Sequence, residues 1–357
     1  MPRVSRVYVS LAPLRVRGVF RIAGWEARTS ETLVARVELS DGTVGWGEAA
    51  PAPRVTGEHP GSALEAARLA SQRIIGLDAE ELGMVVDAVD RVLRGSPAAR
   101  AALVNALYDA YGRIHGVPLC NLLGGCRSHR LETLVTVSLA SPEEMASRAL
   151  ELVSSGYRRL KLKLGGPVDL DLERVRAVRE AVGDGVMLTV DANQAWGYWE
   201  ALRFAREAPR LGVALVEQPL PADDFDGLAR LSASSPVPVA VDESVLGVRD
   251  AVRLYSLGFR GVVNIKVSRV GGVDRAAALA RLSESLGLGV MIGCMLESGL
   301  ATLSSAHLAA TTEPLIVDLD SPLLIEDPSG CRVYEAPGVI RVPVGEPGVG
   351  CEPRLAV

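Results

Sequence analysis

Lysine is nearly missing from this sequence. Of the 38 lysine and arginine residues, only three are lysine, namely Lys161, Lys163 and Lys266, and the other 35 are arginine. Arginine keeps its proton in a protein, whereas a buried lysine can release one. The three lysines are therefore either a chance remainder or residues retained for proton transfer, and their number alone does not decide between the two.

Features that mark several other classes of protein are missing as well. No apolar run approaches the roughly 18 residues that a membrane helix needs, and arginines interrupt the apolar residues of the N-terminal stretch 1–18, unlike in a signal peptide. The net charge is −5, and the basic residues are scattered along the chain. We therefore expect no membrane segment and no nucleic-acid partner.

Cysteine, asparagine and glutamine are also sparse. The five cysteines are odd in number and lack the spacing of a metal site, which predicts a reduced, cytoplasmic protein. Only seven residues are asparagine or glutamine, a composition that weakly indicates a thermophilic source. Four of these seven lie in the motifs described below, namely Asn193, Gln194, Gln218 and Asn264.

The second part of the chain has a repeating pattern. A length of 357 residues predicts about two domains. From about residue 130, short β-branched segments alternate with amphipathic segments, one of which begins with the cap sequence at 141–144. Eight strands joined by helices in this order predict a parallel (β/α)8 barrel. The predicted strands lie within 133–140, 158–165, 185–193, 213–219, 237–244, 261–267, 289–295 and 315–322.

Residues 1–125 follow a different pattern. Strand-like stretches with a turn at Asp41-Gly42 predict antiparallel strands, and two helical segments follow at 59–76 and 98–115. The sequence thus predicts an α+β domain over 1–125 and a barrel domain over 126–325. The Pro- and Gly-rich tail, about 326–357, is expected to return to the first domain.

Charged residues stand at the ends of most predicted barrel strands. The C-terminal rim of such a barrel carries the active site, while the strand interiors bury apolar residues. A single charge there is readily explained as a loop residue or helix cap, but a whole series in strand register is not. The residues are Lys161 and Lys163 on the second strand, Asp191, Glu217, Asp242 and Lys266 on the third to sixth, and Asp318 and Asp320 on the eighth.

The order of the strands predicts how three of these charges act together. Asp191, Glu217 and Asp242 end neighbouring strands, so one carboxylate from each can converge on a single point. Three hard oxygen ligands with open positions suit Mg²⁺.

The lysines occupy opposite sides of the same predicted site. Lys163 and Lys266 end strands that lie four places apart in a ring of eight, so they face each other across the metal. Lys161 shares a strand face with Lys163, and its charge can lower the proton affinity of Lys163 or meet an anionic substrate oxygen. Two bases beside a metal suit removal and return of a proton α to a carboxylate.

These motifs resemble the enolase superfamily, and within it the muconate-lactonising-enzyme branch. The resemblance covers nearly the whole chain and implies a modified (β/α)8 barrel of the TIM type with an N-terminal α+β capping domain. The motifs that carry it are WGEAAP (46–51), TGE (56–58), KLK (161–163), DANQAW (191–196), VEQP (216–219), VDES (241–244), NIK (264–266) and GCMLESGL (293–300).

The resemblance also implies roles for the residues of the site. It implies Mg²⁺ as the cofactor, with Mn²⁺ as a substitute. It implies metal ligands at Asp191, Glu217 and Asp242, an acid/base pair at Lys163 and Lys266, support of the substrate carboxylate by Lys161, and outer partners at Asn193 and Glu243.

The segment Asp318-Leu319-Asp320 discriminates among the reactions of this branch, which the fold alone does not. Strand alternation puts both carboxylates on one face, where they suit a cationic amine and disfavour an anionic or acyl group. Dipeptide epimerases of the family carry such a pair, which binds the free α-amino group of the dipeptide. The alternative is that one aspartate caps the turn before Ser321-Pro322.

The sequence therefore predicts a Mg²⁺-dependent dipeptide epimerase that inverts the α-carbon of the C-terminal residue by two-base proton transfer through an enediolate. N-acylamino acid racemase or o-succinylbenzoate synthase is the alternative within the family. Outside it, a Schiff-base aldolase would need a strand-end lysine but not three carboxylates, and a binding protein would exchange no α-proton. The physiological dipeptide and the formation of a homo-oligomer stay open.

A stretch of the capping domain bears on the substrate side chain. In Ala-Glu epimerases of this family, a mobile loop there supplies an arginine for the glutamate side chain. The matching stretch is FRIAGWEAR (20–28), where Trp25 takes the nearest position and Arg21 and Arg28 lie close in sequence. A tryptophan offers a large apolar wall, unless it only anchors the loop. We therefore expect a preference for apolar or aromatic C-terminal residues over glutamate.

Overall fold

A long antiparallel hairpin opens the chain in the computed structural model, which describes residues 1–357. The first region contains β1 (Val4–Ile22), β2 (Trp25–Leu39), β3 (Val44–Ala49), α1 (Pro53–Thr56), α2 (Pro60–Ile74), α3 (Leu82–Val92), α4 (Pro97–His115) and α5 (Leu119–Leu122). The predicted turn at Asp41-Gly42 lies between β2 and β3, where the Thr43 N–H donates to the Asp41 carboxylate at 2.9 Å. Helices α2 and α4 are the two that the sequence predicts, whereas α3 was not predicted.

Helix α4 packs directly on β3, and a glycine makes this approach possible. A Cβ on Gly47 would lie 2.1 Å from the carbonyl oxygen of Ala102 in α4, far inside van der Waals contact. Only glycine fits there. The WGEAAP motif is therefore in part a packing motif, which joins the sheet of the cap to its longest helix.

Eight parallel strands form the second region, as the sequence predicts. They are β5 (Val135–Val137), β6 (Arg159–Lys163), β7 (Met187–Asp191), β8 (Val213–Glu217), β9 (Val239–Val241), β10 (Val262–Lys266), β11 (Gly289–Gly293) and β12 (Ile316–Asp318). The strands pair in chain order, from β5 to β12. The first and last come together through a backbone bond of 2.9 Å from Leu134 N–H to the Val317 carbonyl. The predicted barrel with an α+β cap is confirmed.

Helices surround this barrel. They are α6 (Pro142–Ser154), α7 (Val168–Val182), α8 (Tyr198–Glu207), a 3₁₀ turn (Ala208–Leu211), α9 (Phe225–Ser234), α10 (Val248–Ser256), α11 (Val267–Val270), α12 (Val273–Ser285), α13 (Gly299–Ala309) and α14 (Ser321–Leu324). The predicted cap of α6 is present, since Ser141 Oγ accepts from Glu144 N–H at 3.2 Å. None of the helices combines the length and apolarity that crossing a bilayer requires.

Apolar side chains fill the barrel at or before the middle of its strands. They form one inner cluster of Leu134, Leu215, Ala240, Val262, Met291 and Ile316. This leaves the opposite ends of the strands free for polar groups, as in other barrels of this type.

The C-terminal tail contacts both regions. Its strands are β13 (Ile325–Glu326), β14 (Tyr334–Ala336) and β15 (Val339–Arg341). Strand β13 extends the cap sheet beside β1, whereas β15 pairs with β4 (Arg130–Glu132) next to the barrel. Further along, the Val349 N–H donates to Asp109 of α4 at 2.7 Å. The domain boundaries inferred from the sequence stay a prediction.

The expectation of fully reduced cysteines is wrong for this structure. Cys120 is bonded to Cys126 and Cys331 to Cys351, and Cys294 is free. The fifth cysteine, Cys294, has no disulfide partner and lies in the site described below. Pairing depends on which cysteines the fold brings together, and their spacing in sequence does not reveal that. The cytoplasmic location stays a prediction.

A buried arginine ties the cap to the barrel. Arg100 of α4 is 2% exposed, and its guanidinium donates to Asp90 of α3 at 3.0 Å and, with two nitrogens at 2.8 Å each, to Asp274 of α12. Bidentate pairs of this kind are the strongest ionic hydrogen bonds in proteins.

Arg100→Met should therefore destabilise the protein, because Asp274 loses its cation and Asp90 keeps only the exposed Arg275. We expect a melting temperature lower by about 5 °C or more. The matched control is Arg68→Met, which removes an exposed arginine paired with Glu65 and should change the melting temperature very little. Thermal unfolding followed by circular dichroism checks this, and equal melting temperatures for both variants would contradict the role of Arg100.

Candidate active site

The structure brings the predicted rim residues together at one end of the barrel. Five of them are the last residue of their strand, namely Lys163, Asp191, Glu217, Lys266 and Asp318. Asp242 directly follows β9, and all of these side chains are buried. Because parallel strands end at the same edge, the sequence positions alone gather the charges in one place.

Lys161 lies at the centre of the acidic residues. Its Nζ is 2.7 Å from Asp318 Oδ2, 2.7 Å from Glu217 Oε2 and 3.2 Å from Asp191 Oδ2. Burial opposes the charge of Lys161, but Asp318 and Glu217 outweigh it and raise the pKa of the ammonium well above its usual value. Oxygens from three strand ends therefore already share one cation.

The other two lysines each pair with a different aspartate. Lys163 Nζ lies 2.6 Å from Asp191 Oδ2, and Lys266 Nζ lies 2.9 Å from Asp242 Oδ2. Burial opposes the charge of Lys266, but Asp242 outweighs it and raises the lysine pKa. Since β6 and β10 lie four places apart in the sheet, the two ammonium groups approach the acidic centre from opposite sides.

Two residues of this centre were not predicted. Arg269 is buried, forms an ion pair with Asp242, and donates to the Asn264 carbonyl at 2.9 Å. Asn264 Nδ2 donates to Glu217 Oε1 at 2.8 Å. Burial opposes the charge of Asp242, yet Arg269 and Lys266 hold the pKa of that carboxyl below its usual value.

Asn193 and Glu243 lie behind the strand ends and contact each other. Asn193 Nδ2 donates to Glu243 Oε1 at 3.3 Å, and the Asn193 N–H donates to Asp191 Oδ1 at 2.9 Å. Asn193 has φ of 44°, a left-handed conformation that asparagine tolerates better than most residues. Both predicted outer residues therefore adjoin the rim, and Asn193 orients one of its carboxylates.

The donor set suits a hard divalent cation. Burial, and after it the charge of Asp191, raises the pKa of Glu217 to about 7. Buried oxygens of Asn193, Glu243, Asn264 and Asp318 have no hydrogen-bond donor in the structure. Carboxylate and amide oxygens are the ligands that Mg²⁺ prefers.

The three predicted metal ligands are not gathered around one point in the structure. Its acidic, histidine and cysteine side chains form no group of three that encloses a metal position. Asp191 and Glu217 turn an oxygen toward Lys161, whereas Asp242 turns toward Lys266 and Arg269. The three carboxylates suit Mg²⁺ by their chemistry, and in this structure their oxygens contact lysines.

Asp318, the last residue of β12, and Asp320, two residues further on, lie on the same rim. Asp320 Oδ2 accepts from the Thr136 N–H of β5 at 2.7 Å and makes no side-chain cap to α14, so the capping alternative for Asp320 is wrong in this structure. Burial and the charge of Asp318 raise the pKa of Asp320 to about 6. Cys294 Sγ lies 3.9 Å from Asp320 Oδ1. Two buried carboxylates side by side favour a cationic ligand.

A cavity of about 710 Å³ opens over this rim and is roofed by the β1–β2 hairpin. FRIAGWEAR forms the tip of that hairpin, with Ile22 paired to Trp25. The Phe20 ring lies 5.8 Å from Lys163 Nζ, and the Trp25 ring meets it edge-on at 6.3 Å. Trp25 is 38% exposed and lines the cavity. The wall beside Lys163 is therefore apolar and aromatic.

The two arginines near Trp25 do not line this cavity. Arg21 forms an exposed ion pair with Glu26 at 3.0 Å, and Arg28 is exposed on the hairpin. A third arginine, Arg54 of α1, does line the cavity and donates to the Gly24 carbonyl at the hairpin tip at 2.9 Å. Arg54 was not predicted, because it lies in α1, a segment of the cap separate from the stretch 20–28.

A capped parallel barrel with acidic and lysine side chains on its C-terminal rim defines a barrel enzyme. The family described as "Mandelate racemase / muconate lactonizing enzyme, N-terminal domain" matches residues 6–124, and "Enolase C-terminal domain-like" matches residues 144–357. The chain belongs to the mandelate racemase/muconate lactonizing enzyme family of the enolase superfamily.

Similar proteins of this family have related names. An L-Ala-D/L-Glu epimerase from Clostridium acetobutylicum is 37% identical over 340 residues, 93% of this chain and 94% of that protein. The structure of a dipeptide epimerase from Enterococcus faecalis, complexed with Mg and L-Leu-L-Tyr, is 32% identical, with a TM-score of 0.93 over 98% of this chain and 99% of that one. An N-succinyl Arg/Lys racemase structure from Bacillus cereus is 29% identical, with a TM-score of 0.94 over 99% and 96%. The chain is accordingly an isomerase of the racemase and epimerase kind.

Proposed function

We propose that the protein is a Mg²⁺-dependent dipeptide epimerase that inverts the α-carbon of the C-terminal residue. The observation that carries this proposal is the pair Lys163 and Lys266, which approach one acidic centre from opposite sides. The relative from Clostridium acetobutylicum, named as an L-Ala-D/L-Glu epimerase, and the relative from Enterococcus faecalis, named as a dipeptide epimerase, support the substrate class.

Inversion requires one group to remove the α-proton and a second to return a proton to the other face. Lys163 and Lys266 are the two groups, one for each face of the resulting enediolate. A general base or acid placed in this way contributes about 10²–10⁴-fold to the rate. The aromatic hairpin tip lies over Lys163 and limits the access of water on that side.

Asp191, Glu217 and Asp242 would hold Mg²⁺, with Mn²⁺ as a substitute. When bound, the ion would offset the charge of these carboxylates and would stabilise the negative charge that the substrate carboxylate gains. Lys161 is held by Asp191, Glu217 and Asp318 and would contact the substrate carboxylate as a fixed positive charge.

The free amine of the dipeptide is assigned to Asp318 and Asp320. Asp318→Asn or Asp320→Asn should raise KM for dipeptides, because a charge-assisted hydrogen bond is worth roughly 1.5–3 kcal/mol. N-acetylated dipeptides should be poor substrates of the unmodified enzyme for the same reason. Steady-state kinetics check this, with Glu326→Gln as a control that changes an exposed carboxylate six residues beyond Asp320.

The alternative is racemisation of N-acylamino acids, and the Bacillus cereus relative gives it support. Such substrates lack a free amine, so they gain nothing from Asp318 and Asp320. If N-acylamino acids turn over faster than free dipeptides, the racemase alternative is correct. The o-succinylbenzoate synthase alternative has no support from the site, because two buried carboxylates disfavour an anionic acyl chain.

The side chain of the inverted residue is expected to be apolar or aromatic. Phe20 and Trp25 line the cavity next to Lys163, whereas Arg21 is held by Glu26 at the surface. L-Ala-L-Phe and L-Ala-L-Leu should therefore exceed L-Ala-L-Glu in kcat/KM by about tenfold or more. Trp25→Ala should reduce the ratio of kcat/KM between the apolar and the glutamate dipeptides, because it removes part of the apolar wall. A clear preference for the glutamate dipeptide would show the assignment to be wrong and would point to Arg54, which lines the same cavity.

A further inference from the structure

A buried carboxylate that is not part of the acidic centre fixes the turn that follows Lys163. Asp171 of α7 is fully buried. Its Oδ2 accepts hydrogen bonds from the Gly166 N–H at 3.0 Å, the Gly165 N–H at 3.2 Å and the Trp196 indole N–H at 3.0 Å. The backbone just two residues beyond Lys163 is thus held by a single side chain.

The neighbouring elements hold Asp171 in turn. Arg174 Nη1 donates to Asp171 Oδ1 at 2.7 Å, and Arg174 Nε donates to the Ala140 carbonyl, beyond β5, at 2.8 Å. On the other side, the Trp196 ring stacks on Phe204 at 4.6 Å between centroids. Asp171 therefore fixes the β6–α7 turn relative to the loops that follow the two flanking strands, β5 and β7.

The same turn supports the hairpin tip. Gly165 has φ of 139°, and a Cβ on it would lie 2.4 Å from the Cβ of Ala23 at the tip. The hairpin in turn places Phe20 at 5.8 Å from Lys163 Nζ. A displaced turn would therefore move both the backbone that carries Lys163 and the aromatic ring above it.

We propose that Asp171 is a positioning residue for Lys163 and not for Lys266. This inference rests on the proposed two-base function, because only then do the two lysines serve different epimers. Lys266 lies on β10, four strands from β6, and its contacts run through Asp242 and beyond it to Arg269. None of these residues contacts Asp171 through a hydrogen bond or ion pair. Loss of the Asp171 carboxylate should thus affect one side of the reaction only.

The test measures deuterium exchange at the α-carbon of each epimer separately, in D₂O. The variants Lys163→Ala and Lys266→Ala first establish which epimer depends on which lysine. In Asp171→Asn, an NH₂ group replaces one of the two carboxylate oxygens. Because an NH₂ group is a donor, it cannot accept the hydrogen bonds that this oxygen accepts from N–H groups. We expect epimerisation and exchange of the Lys163-dependent epimer to fall about 10- to 100-fold, as for a base misplaced by about 1 Å. For the epimer that depends on Lys266, the rate of α-proton exchange with retained configuration should change by less than about threefold.

The matched control is Asp169→Asn in the same helix. Asp169 is 68% exposed and pairs with Arg203 at the surface, so both exchange rates should stay unchanged. If Asp171→Asn fails to fold, Trp196→Phe replaces it, because this change removes one donor to Asp171 and keeps an aromatic ring. Trp196→Phe should lower exchange of the same epimer only, by a smaller factor. Equal losses at both epimers, or no loss at either, would overturn the positioning role. A wild-type enzyme without exchange at either epimer would instead refute the proposed function itself.

Discussion

Lys163→Arg is expected to abolish epimerisation almost as completely as Lys163→Ala. Arginine keeps the positive charge beside Asp191 but cannot release its proton, so it cannot act as a base. We expect kcat for epimerisation to fall by about 10²–10⁴-fold or more in either variant. Polarimetric or chromatographic assays with purified dipeptides measure this.

Lys266→Ala should lower kcat for epimerisation as strongly as Lys163→Ala, but the two variants should lose exchange at opposite epimers. Each alanine variant should retain exchange of the α-proton at the epimer served by the remaining lysine. Arg159→Ala provides a control on the same strand as Lys163, since Arg159 begins β6 far from the rim and pairs with Glu132. Full epimerase activity in either lysine variant would rule out the two-base mechanism.

Removal of the metal should abolish epimerase activity, and addition of Mg²⁺ or Mn²⁺ should restore that activity. In the proposed function Asp191, Glu217 and Asp242 hold the metal, and Lys163 and Lys266, the two proposed bases, are paired with two of these carboxylates in its absence. We expect EDTA treatment to lower kcat by about 10²-fold or more. Turnover and metal content should be measured in the same sample.

Two controls separate this from a loss of fold. The circular dichroism spectrum should stay unchanged after EDTA, since the barrel has its own apolar core. Asp191→Asn should lower both metal content and activity together. Undiminished turnover in a preparation shown to be free of metal would exclude the metal assignment.

The barrel was predictable from the sequence because its local signals agree with its global order. Each of the eight predicted strands contains one observed strand, and Ser141 caps α6 where the sequence places the cap. The rim residues followed from this, since a strand-end position fixes which edge of the sheet a side chain occupies. The turn at Asp41-Gly42 was equally local.

Other contacts of the site depend on long-range packing. Arg269 is one of 35 arginines, so nothing in its sequence context sets it apart as the partner of Asp242. The partner of Asp320 is the backbone of Thr136, 184 residues away. The disulfides escaped prediction for the same reason, because the fold decides which cysteines meet. Asp171 was unremarkable in sequence, as one of several acidic residues in an amphipathic helix.

The most direct test of the proposed function is incubation of L,L-dipeptide mixtures with the Mg²⁺-loaded enzyme in D₂O, followed by mass spectrometry. We predict that dipeptides with apolar or aromatic C-terminal residues gain one deuterium at the C-terminal α-carbon, together with the appearance of the L,D product. Replacing Lys163 and Lys266 together by alanine should remove both signals. If no free dipeptide gains deuterium while N-acylamino acids do, or if no substrate of either class exchanges, the protein is not a dipeptide epimerase.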